Sequence, residues 1–104
     1  MALEIRVLND VARISMSGRF DFQIHREFKD AYTPLFDNPA VKQIEVEMSK
    51  LDYLDSSALG MLMLLNERAK AANRSIVLAN PSGVVEQVLE VANFSRLFNI
   101  KKGV

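Results

Sequence analysis

Alternation of apolar and polar residues in three segments is the feature that most constrains the fold of this chain. Apolar residues occupy every second position of segments 3–7, 12–16 and 44–48. Charged residues stand between them, at Glu4, Arg6, Arg13, Glu45 and Glu47. A period of two is typical of strands that bury only one face, whereas strands covered on both faces read as continuous apolar runs. The sequence therefore predicts a sheet whose helices cover mainly one face.

The residues that follow the first two strands predict a turn and a helix. Asn9 and Asp10 separate these strands, which is typical of a β-hairpin. Asp21 is suited to cap a first helix, and prolines disturb the helical pattern near Thr33, where we expect the helix to end or bend. The apolar positions of this helix recur at helical spacing and are Ile24, Phe28, Ala31 and Leu35.

A second and a third helix flank a fourth strand over residues 75–79. The third helix is expected to have Asn80 as a possible cap and Pro81 at its first position. Its apolar stripe comprises Val84, Val85, Val88, Leu89, Val91 and Ala92. Residues 94–100 close the domain, and the order of elements implies parallel pairs joined by right-handed crossovers, plus the antiparallel hairpin. We therefore expect a single small α/β domain over residues 1–104 with a mixed, mainly parallel sheet.

Composition and charge argue against several classes of function. With 104 residues, 49% of them hydrophobic, the chain can bury one modest core. Thirteen basic and thirteen acidic residues give a net charge of zero, so we expect no binding to nucleic acid. The longest apolar run, over 58–65, has eight residues, whereas a membrane span needs about 20. Because the N-terminus is charged and cysteine is absent, we expect a cytoplasmic protein without a secretion signal or membrane insertion.

Residues that could support catalysis are sparse. The four glycines, at positions 18, 60, 83 and 103, cannot build a P-loop or a dinucleotide fingerprint. The only histidine, His25, has no cysteine or second histidine near it, so we expect a solvated helix residue. Asp52 and Asp55 with Ser56 as nucleophile would lack a glycine-rich oxyanion turn and any base other than a carboxylate. We therefore expect no cofactor, no metal site and no enzymatic activity.

The segment from Lys50 to Gly60 connects the third strand to the second helix and carries the clearest functional signal. Asp55, Ser56 and Ser57 are small oxygen-bearing residues of the kind that begin helices, and Ser56 is expected at or near the N-cap. The simplest interpretation is that these three residues only satisfy the free backbone N–H groups of the first helical turn.

The second helix has an apolar inner face and an apolar patch on its outer face. At about 100° per residue, the residues expected to pack on the sheet are Ala58, Leu62, Leu65, Ala69 and Ala72. Met63 and Leu64 instead project outward, on the same side as Gly60, Glu67 and Ser56. Either a neighbouring loop or helix covers Met63 and Leu64, or they form a partner-binding patch.

A serine at the rim of an apolar patch is suited to act as a switch. A phosphate adds about −1.5 to −2 charges, which must be desolvated when a partner docks, so phosphorylation of Ser56 is expected to weaken binding. The helix N-terminus favours the phosphate, whereas Asp55 opposes it, as does Asp21 if the turn over 18–22 lies alongside. We therefore expect little change in the fold.

Two motifs carry a resemblance to a known family. Residues 18–21, Gly-Arg-Phe-Asp, resemble the Gly-x-hydrophobic-Asp turn of the sulfate transporter and anti-sigma factor antagonist (STAS) domain family. Residues 55–60, Asp-Ser-Ser-Ala-Leu-Gly, resemble the phosphorylation loop of the family's stand-alone bacterial anti-sigma factor antagonists. The second motif is the more specific, and the likeness spans nearly the whole chain. Ala58 departs from the glycine of many relatives, and the segment after Ile100 is shorter than in relatives that end in a further helix.

The resemblance implies a phosphorylation switch. Ser56 would be phosphorylated by an anti-sigma factor with serine kinase activity and dephosphorylated by a metal-dependent, PP2C-type serine phosphatase, with Ser57 as a supporting neighbour. The unphosphorylated form would bind the anti-sigma factor and free the sigma factor, through protein competition and without DNA contact.

Two other functions are compatible with the same residues. A STAS-like subunit of a membrane transport ATPase would be held constitutively by its partner, with Ser56 silent. A phosphate or nucleotide sensor at the helix terminus is disfavoured by Asp52, Asp55 and Asp21. We expect a monomer when the protein is free, although an apolar patch would also serve self-association.

Overall fold

The computed structural model describes residues 2–102 and shows a five-stranded sheet with three α-helices. The strands are β1 (Ala2–Leu8), β2 (Val11–Phe20), β3 (Gln43–Leu54), β4 (Ser75–Ala79) and β5 (Asn99–Lys101). The helices are α1 (His25–Tyr32), α2 (Ser56–Ala71) and α3 (Gly83–Val91). Short 3-10 turns cover Phe22–Ile24, Thr33–Asp37 and Phe94–Arg96.

The strand order confirms a mixed, mainly parallel sheet. The strands lie side by side in chain order, β1 pairs with β2 antiparallel, and every later pair is parallel. Asn9 in the hairpin turn has a φ of 57°, in the left-handed region that asparagine adopts more readily than most residues. Because the parallel strands follow one another in order, right-handed crossovers place α1, α2 and α3 on the same face of the sheet.

The covered face of the sheet and the helices enclose one hydrophobic core. Ile14, Ile44 and Leu78 are fully buried and belong to the same cluster as buried residues of all three helices. The alternate residues Arg6 and Arg13 point to the other face, where Arg6 is exposed and Arg13 is exposed over half of its side chain. The expectation that helices cover mainly one face is therefore confirmed. Among residues 2–102, no helix is both long and apolar enough to cross a membrane.

The face of the sheet opposite the helices, which we call the open face, carries one carboxylate that is buried by its neighbours. Glu45 on β3 is only 4% exposed. Arg13 on β2 donates from Nε to Glu45 Oε2 at 2.6 Å, and Nζ of Lys101 on β5 lies 3.6 Å from Oε1. A buried carboxylate without a partner is strongly destabilising, so these two cations stabilise the burial of Glu45. These three side chains also link β2, β3 and β5.

A second carboxylate on this face, that of Glu47, lies where β3 and β4 end their pairing. The backbone N–H of Ser49 donates to Glu47 Oε1 at 2.8 Å, and Asn80 Nδ2 donates to Oε2 at 2.7 Å. Burial raises the pKa of Glu47, but hydrogen bonds from Ser49 and Asn80 and the positive charge of Arg13 together outweigh burial and hold the pKa below its ordinary value. Ionised Glu47 therefore stabilises the fold above the pKa of the unfolded chain, and this stabilisation is lost on acidification.

The first helical region matches the expectation from its prolines, but Asp21 caps a 3-10 turn and not α1 itself, whose N-cap is Ile24. Asp21 accepts a hydrogen bond from the backbone N–H of Gln23 at 3.0 Å and caps the 3-10 turn that leads into α1. α1 ends at Tyr32, with Thr33 as its C-cap, and the chain continues as a 3-10 turn. The helical region therefore changes its geometry at Thr33, next to the first proline of the chain.

β3 is longer than the alternating segment 44–48 that predicted it. It continues to Leu54, although the segment from Lys50 onward was expected to be a connection. Irregularities of register against β2 follow Glu47 and Leu51, and at each one β3 carries one residue more than β2. These extra residues break the period of two, so the pattern of the sequence does not continue to the end of the strand.

The start of α3 differs from expectation. The N-cap is Ser82 and the first helical residue is Gly83, whereas Asn80 and Pro81 were expected at these positions. Asn80 has a φ of 58°, and its side chain binds Glu47, so this residue ends the strand region and does not cap the helix. Helical geometry therefore begins only after the chain has left β4.

The apolar stripe of α3 is also narrower than predicted. Val85 and Leu89 are buried, whereas Val84 and Val91 are 53% and 85% exposed. The predicted stripe was wider than the side of a helix that contacts a core, so its outer members remain in solvent. β5, which follows, was not predicted as a strand, because three residues are too short to show an alternating pattern.

Substitution of neighbouring residues on α2 tests the inner and outer faces of that helix. Leu62 is fully buried, and Leu62→Ala is expected to lower the free energy of unfolding by about 2–5 kcal/mol. Met63 is 47% exposed, and Met63→Ala is expected to cost less than about 1 kcal/mol. Urea denaturation of both variants measures the difference. Equal losses would show that the two faces are assigned wrongly.

Candidate functional site

The two sequence motifs meet at the carboxyl edge of the sheet. β2 and β3 are parallel, so their carboxyl ends lie together, and Phe20 is directly opposite Leu54. The backbone N–H of Asp55 donates to the carbonyl of Phe20 at 3.3 Å. Residues 18–20, expected to form a turn, are instead the end of β2, and Asp21 follows directly after them. The hydrogen bond from Asp55 therefore brings the end of β2 alongside the start of α2. This edge is where open α/β sheets commonly place their binding sites.

Asp55, and not Ser56, is the N-cap of α2. Its backbone is extended, with φ −109° and ψ −176°, and its Oδ1 accepts a hydrogen bond from the N–H of Ala58 at 3.0 Å. Ser56 is the first helical residue and is exposed, and Ser57 behind it is half-buried. Capping therefore depends on Asp55, and Ser56 stands exposed at the amino end of the helix.

Asp21 and Arg19 place opposite charges at the same edge. Asp21 Oδ1 caps the 3-10 turn, while its Oδ2 lies 3.5 Å from Arg19 Nε. The Arg19 guanidinium stacks 4.1 Å above the ring of Tyr53, its neighbour in the register of β2 and β3. Sequence reasoning named Arg19 only as part of a motif and missed this contact. Its positive charge partly offsets the acidic character expected from Asp21 and Asp55.

The outer face of α2 is open to solvent. Met63 and Leu64 are 47% and 56% exposed, and Glu67 is also exposed. At Gly60, a Cβ would meet no atom within 4 Å. No part of the chain within residues 2–102 covers Met63 and Leu64, so the alternative in which a loop or helix buries them is wrong. Residues Ser56, Gly60, Met63, Leu64 and Glu67 form the surface that we call the outer face of α2.

The inner face of α2 agrees with the helical periodicity, with two differences. Ala58, Leu62, Leu65 and Ala69 are buried as predicted. Met61 is also buried, although it was not among the predicted residues. Ala72 was expected to pack on the sheet but is exposed, because α2 ends at Ala71 and Ala72 is only its C-cap.

A groove between α1 and α2 adjoins the outer face. Its apolar lining includes Phe28, Tyr32, Met61 and Leu64, and its volume is about 390 Å³. The charged residues along it are Lys29, Glu67 and Arg68, together with His25. Burial raises the pKa of the Tyr32 hydroxyl, and Arg68 opposes this shift only in part. The sequence pattern did not predict this groove, because it depends on how two helices pack.

His25 lies on α1 as a surface residue. It is exposed and stacks on Phe22, with ring centroids 5.5 Å apart, as expected for a solvated helix residue. Between residues 2 and 102, no group of three or more His, Asp or Glu is arranged to hold a metal ion.

The mixed five-stranded sheet with three helices is the fold of a STAS domain. Residues 5–99 match the family described as "Mlab, STAS domain". The chain therefore belongs to the STAS domain family. A STAS-domain containing protein of Pseudomonas aeruginosa is 45% identical over 87 residues, which cover 84% of each chain.

Solved structures share the fold at low sequence identity. A putative anti-sigma factor antagonist of Thermotoga maritima is 20% identical with a TM-score of 0.86, covering 98% of this chain and 87% of that one. The anti-sigma factor antagonist SpoIIAA in its unphosphorylated form is 19% identical with a TM-score of 0.78, covering 99% and 90%. A sulfate transporter family protein of Wolinella succinogenes is 16% identical with a TM-score of 0.75, covering 95% and 82%.

Substitution of Asp55 tests its role as the cap of α2. Asp55→Ala removes the acceptor for the Ala58 N–H and is expected to lower the free energy of unfolding by about 0.5–2 kcal/mol. Asp55→Asn keeps an acceptor oxygen and is expected to retain most of the stability. Urea denaturation compares the variants, with Asp52→Ala at an exposed neighbouring position as the control. An equal loss in Asp55→Asn would contradict a role through the hydrogen bond.

Proposed function

We propose that this protein is an anti-sigma factor antagonist, a phosphorylation-controlled binding protein without an enzymatic activity of its own. In its unphosphorylated form it binds an anti-sigma factor and frees the sigma factor. The observation that carries the proposal is the exposed Ser56 at the head of α2, on the same side as the exposed Met63 and Leu64. A cytoplasmic location follows from these partners.

The geometry at Ser56 explains how a phosphate would weaken binding. A partner that docks on the outer face of α2 must remove water from Ser56 as well as from Met63 and Leu64. A phosphoserine carries about −1.5 to −2 charges, and the desolvation of this group opposes docking. The outer face therefore binds when Ser56 is neutral and releases its partner when Ser56 is phosphorylated.

The fold tolerates the phosphate because opposing charges act on it. The N–H groups of the first turn of α2 and the guanidinium of Arg19 attract an anion, while Asp21 and Asp55 repel it. The cap hydrogen bond of Asp55 does not involve the Ser56 side chain and stays intact. The regulatory effect therefore arises at the binding surface and needs no rearrangement of the sheet.

The phosphoryl group comes from ATP bound to the partner. The Ser56 oxygen attacks the γ-phosphorus, and the bond between this phosphorus and ADP breaks. The serine proton passes to a base of the kinase. Ser57 supports the acceptor as its half-buried neighbour. A PP2C-type phosphatase removes the phosphoryl group by hydrolysis. Water attacks the phosphorus, the bond to the Ser56 oxygen breaks, inorganic phosphate leaves, and a proton restores the Ser56 hydroxyl. The anti-sigma factor kinase and this phosphatase are the proposed partners.

A constitutive subunit of a membrane transport ATPase is the second candidate. The fold is shared with a sulfate transporter family protein, and the exposed outer face of α2 would serve a permanent partner equally well. In that function Ser56 carries no phosphate, and Gly60, Met63, Leu64 and Glu67 still contact the partner.

Phosphopeptide analysis distinguishes the two candidates and locates the acceptor. Mass spectrometry of the protein from cells that produce it naturally is expected to find one phosphate, on Ser56. Ser56→Ala should abolish this phosphate, whereas Ser57→Ala should retain it. A phosphate on Ser57 would overturn the site assignment. An unphosphorylated protein that co-purifies with a transport ATPase would favour the second candidate.

Binding measurements with the anti-sigma factor test the outer face of α2. Ser56→Asp and Leu64→Asp each place a charge on this face and are expected to weaken binding by about tenfold or more. Ser56→Asn places a neutral side chain of the same size as aspartate at this position, so this variant should bind the anti-sigma factor nearly as tightly as the native protein does. Leu97→Asp is the control. Leu97 is 41% exposed, but it lies before the start of β5, at the amino end of the parallel strands, whereas Ser56 follows the carboxyl end of β3. Equal weakening in Leu97→Asp would rule out the outer face as the docking surface.

A further inference from the structure

β1 forms one edge of the sheet and lacks most of the features that usually protect such an edge. Its seven residues, Ala-Leu-Glu-Ile-Arg-Val-Leu, pair with β2 in an unbroken register from Ala2 to Leu8. Natural edge strands commonly carry proline, charged residues such as lysine, or a β-bulge, which prevent pairing with another chain. β1 contains no proline, lysine or bulge, and its two charged residues, Glu4 and Arg6, are of opposite sign. Its outward N–H and C=O groups therefore form a regular template.

A strip of apolar side chains on β1 lies outside the helical layer. Ile5 and Val7 are 36% and 46% exposed, although Ile14 and Ala12, their partners on β2, are fully buried. The difference arises because α1 connects β2 to β3 and covers those strands, whereas β1 leads directly into β2 without a helix between them. The covered face of the sheet therefore ends in an exposed apolar margin.

On the open face, Arg6 stands beside a like charge. It lies directly opposite Arg13 on β2, and like charges in such a position repel each other. Arg13 binds the buried carboxylate of Glu45, whereas Arg6 has no ion pair within residues 2–102. An added carboxylate on the outer side of β1 would balance this local excess of positive charge.

We propose that β1 pairs antiparallel with β1 of a second copy of this chain, centred on Ile5. Ile5 is the middle residue of Ala2–Leu8, so this register uses the whole strand. It places Glu4 opposite Arg6 of the other copy on the open face, twice by symmetry. On the covered face it places Leu3 opposite Val7 and Ile5 opposite its own equivalent. Each of these cross-strand pairs is therefore favourable in charge or in apolar contact.

Neighbouring registers with the same symmetry are unfavourable. Centring the pair on Arg6 brings two arginines together, and centring it on Glu4 brings two glutamates together. A shift by a single residue from the register centred on Ile5 would instead place charged residues opposite apolar ones. The sequence of β1 is thus self-complementary in only one register that matches both faces.

The resulting dimer has a defined geometry. Directly opposite residues of an antiparallel pair project to the same face, so the two-fold axis is perpendicular to the sheet and both helical layers lie on one side. The two five-stranded sheets become one continuous sheet. α2 packs on other strands than β1, so the outer face of each copy stays available. This proposal replaces the expectation of a free monomer and is independent of the function proposed for Ser56.

Charge reversal and its rescue test the proposed pairing. Sedimentation velocity over a series of protein concentrations should show a monomer–dimer equilibrium for the native chain. Arg6→Glu places a carboxylate opposite Glu4 of the other copy and should weaken dimerisation by about tenfold or more. The double variant Glu4→Arg with Arg6→Glu restores opposite charges and should restore the dimer. A native chain that remains monomeric throughout would overturn the proposal, as would a double variant no better than Arg6→Glu.

Single cysteines then test the register, because the native sequence contains no cysteine. Ile5→Cys places the thiol opposite its own equivalent, within the Cα separation that a disulfide spans, so a covalent dimer should form on mild oxidation. Arg6→Cys lies diagonal to its equivalent and should cross-link much more slowly. Val91→Cys on α3 is the control for random collision, at a position that is 85% exposed. Equal cross-linking of all three variants would rule out pairing centred on Ile5.

Discussion

The parallel pairing of β2 with β3 is the interaction on which the rest of the structure depends. At its amino end, the carbonyl of Asp10 accepts hydrogen bonds from the N–H groups of Lys42 and Gln43 at 2.8 and 3.1 Å. At its carboxyl end, the Asp55 N–H binds the carbonyl of Phe20. Between these ends, β3 has more residues than β2 because of two irregularities of register. The pairing therefore decides where β3 stops and where α2 starts.

Position at the sheet edge also explains why the cap and the proposed acceptor are different residues. Asp55 is extended and held by both β2 and the first turn of α2, so its carboxylate is committed to structure. Ser56 follows it on the exposed side of the helix. A serine acting as the cap would use its oxygen for a backbone hydrogen bond. Separation of the two roles leaves the Ser56 hydroxyl accessible.

Local patterns in the sequence predicted the elements that obey a single period. The hairpin follows from alternation and the change of geometry at Thr33 from proline. The strand over 75–79 follows from a short apolar run that is less clearly two-faced. The length of β3 could not be predicted, because its bulges interrupt the alternation. The role of Asn80 at the end of β4 could not be predicted, since asparagine is favoured both in turns and at helix N-caps. The groove beside Tyr32 and the contact of Arg19 with Tyr53 depend on tertiary packing, which leaves no mark on local periodicity.

The double attachment of Asp55 has a consequence for the speed of the switch proposed at Ser56. Because its backbone is bonded to β2 and its side chain to α2, the start of this helix contains no free loop that must reorder after a modification at Ser56. Lid opening and local unfolding take from microseconds to seconds. The proposed switch at Ser56 would need no such step, so its response time would be set by the modifying enzymes and by the lifetime of the complex with the partner.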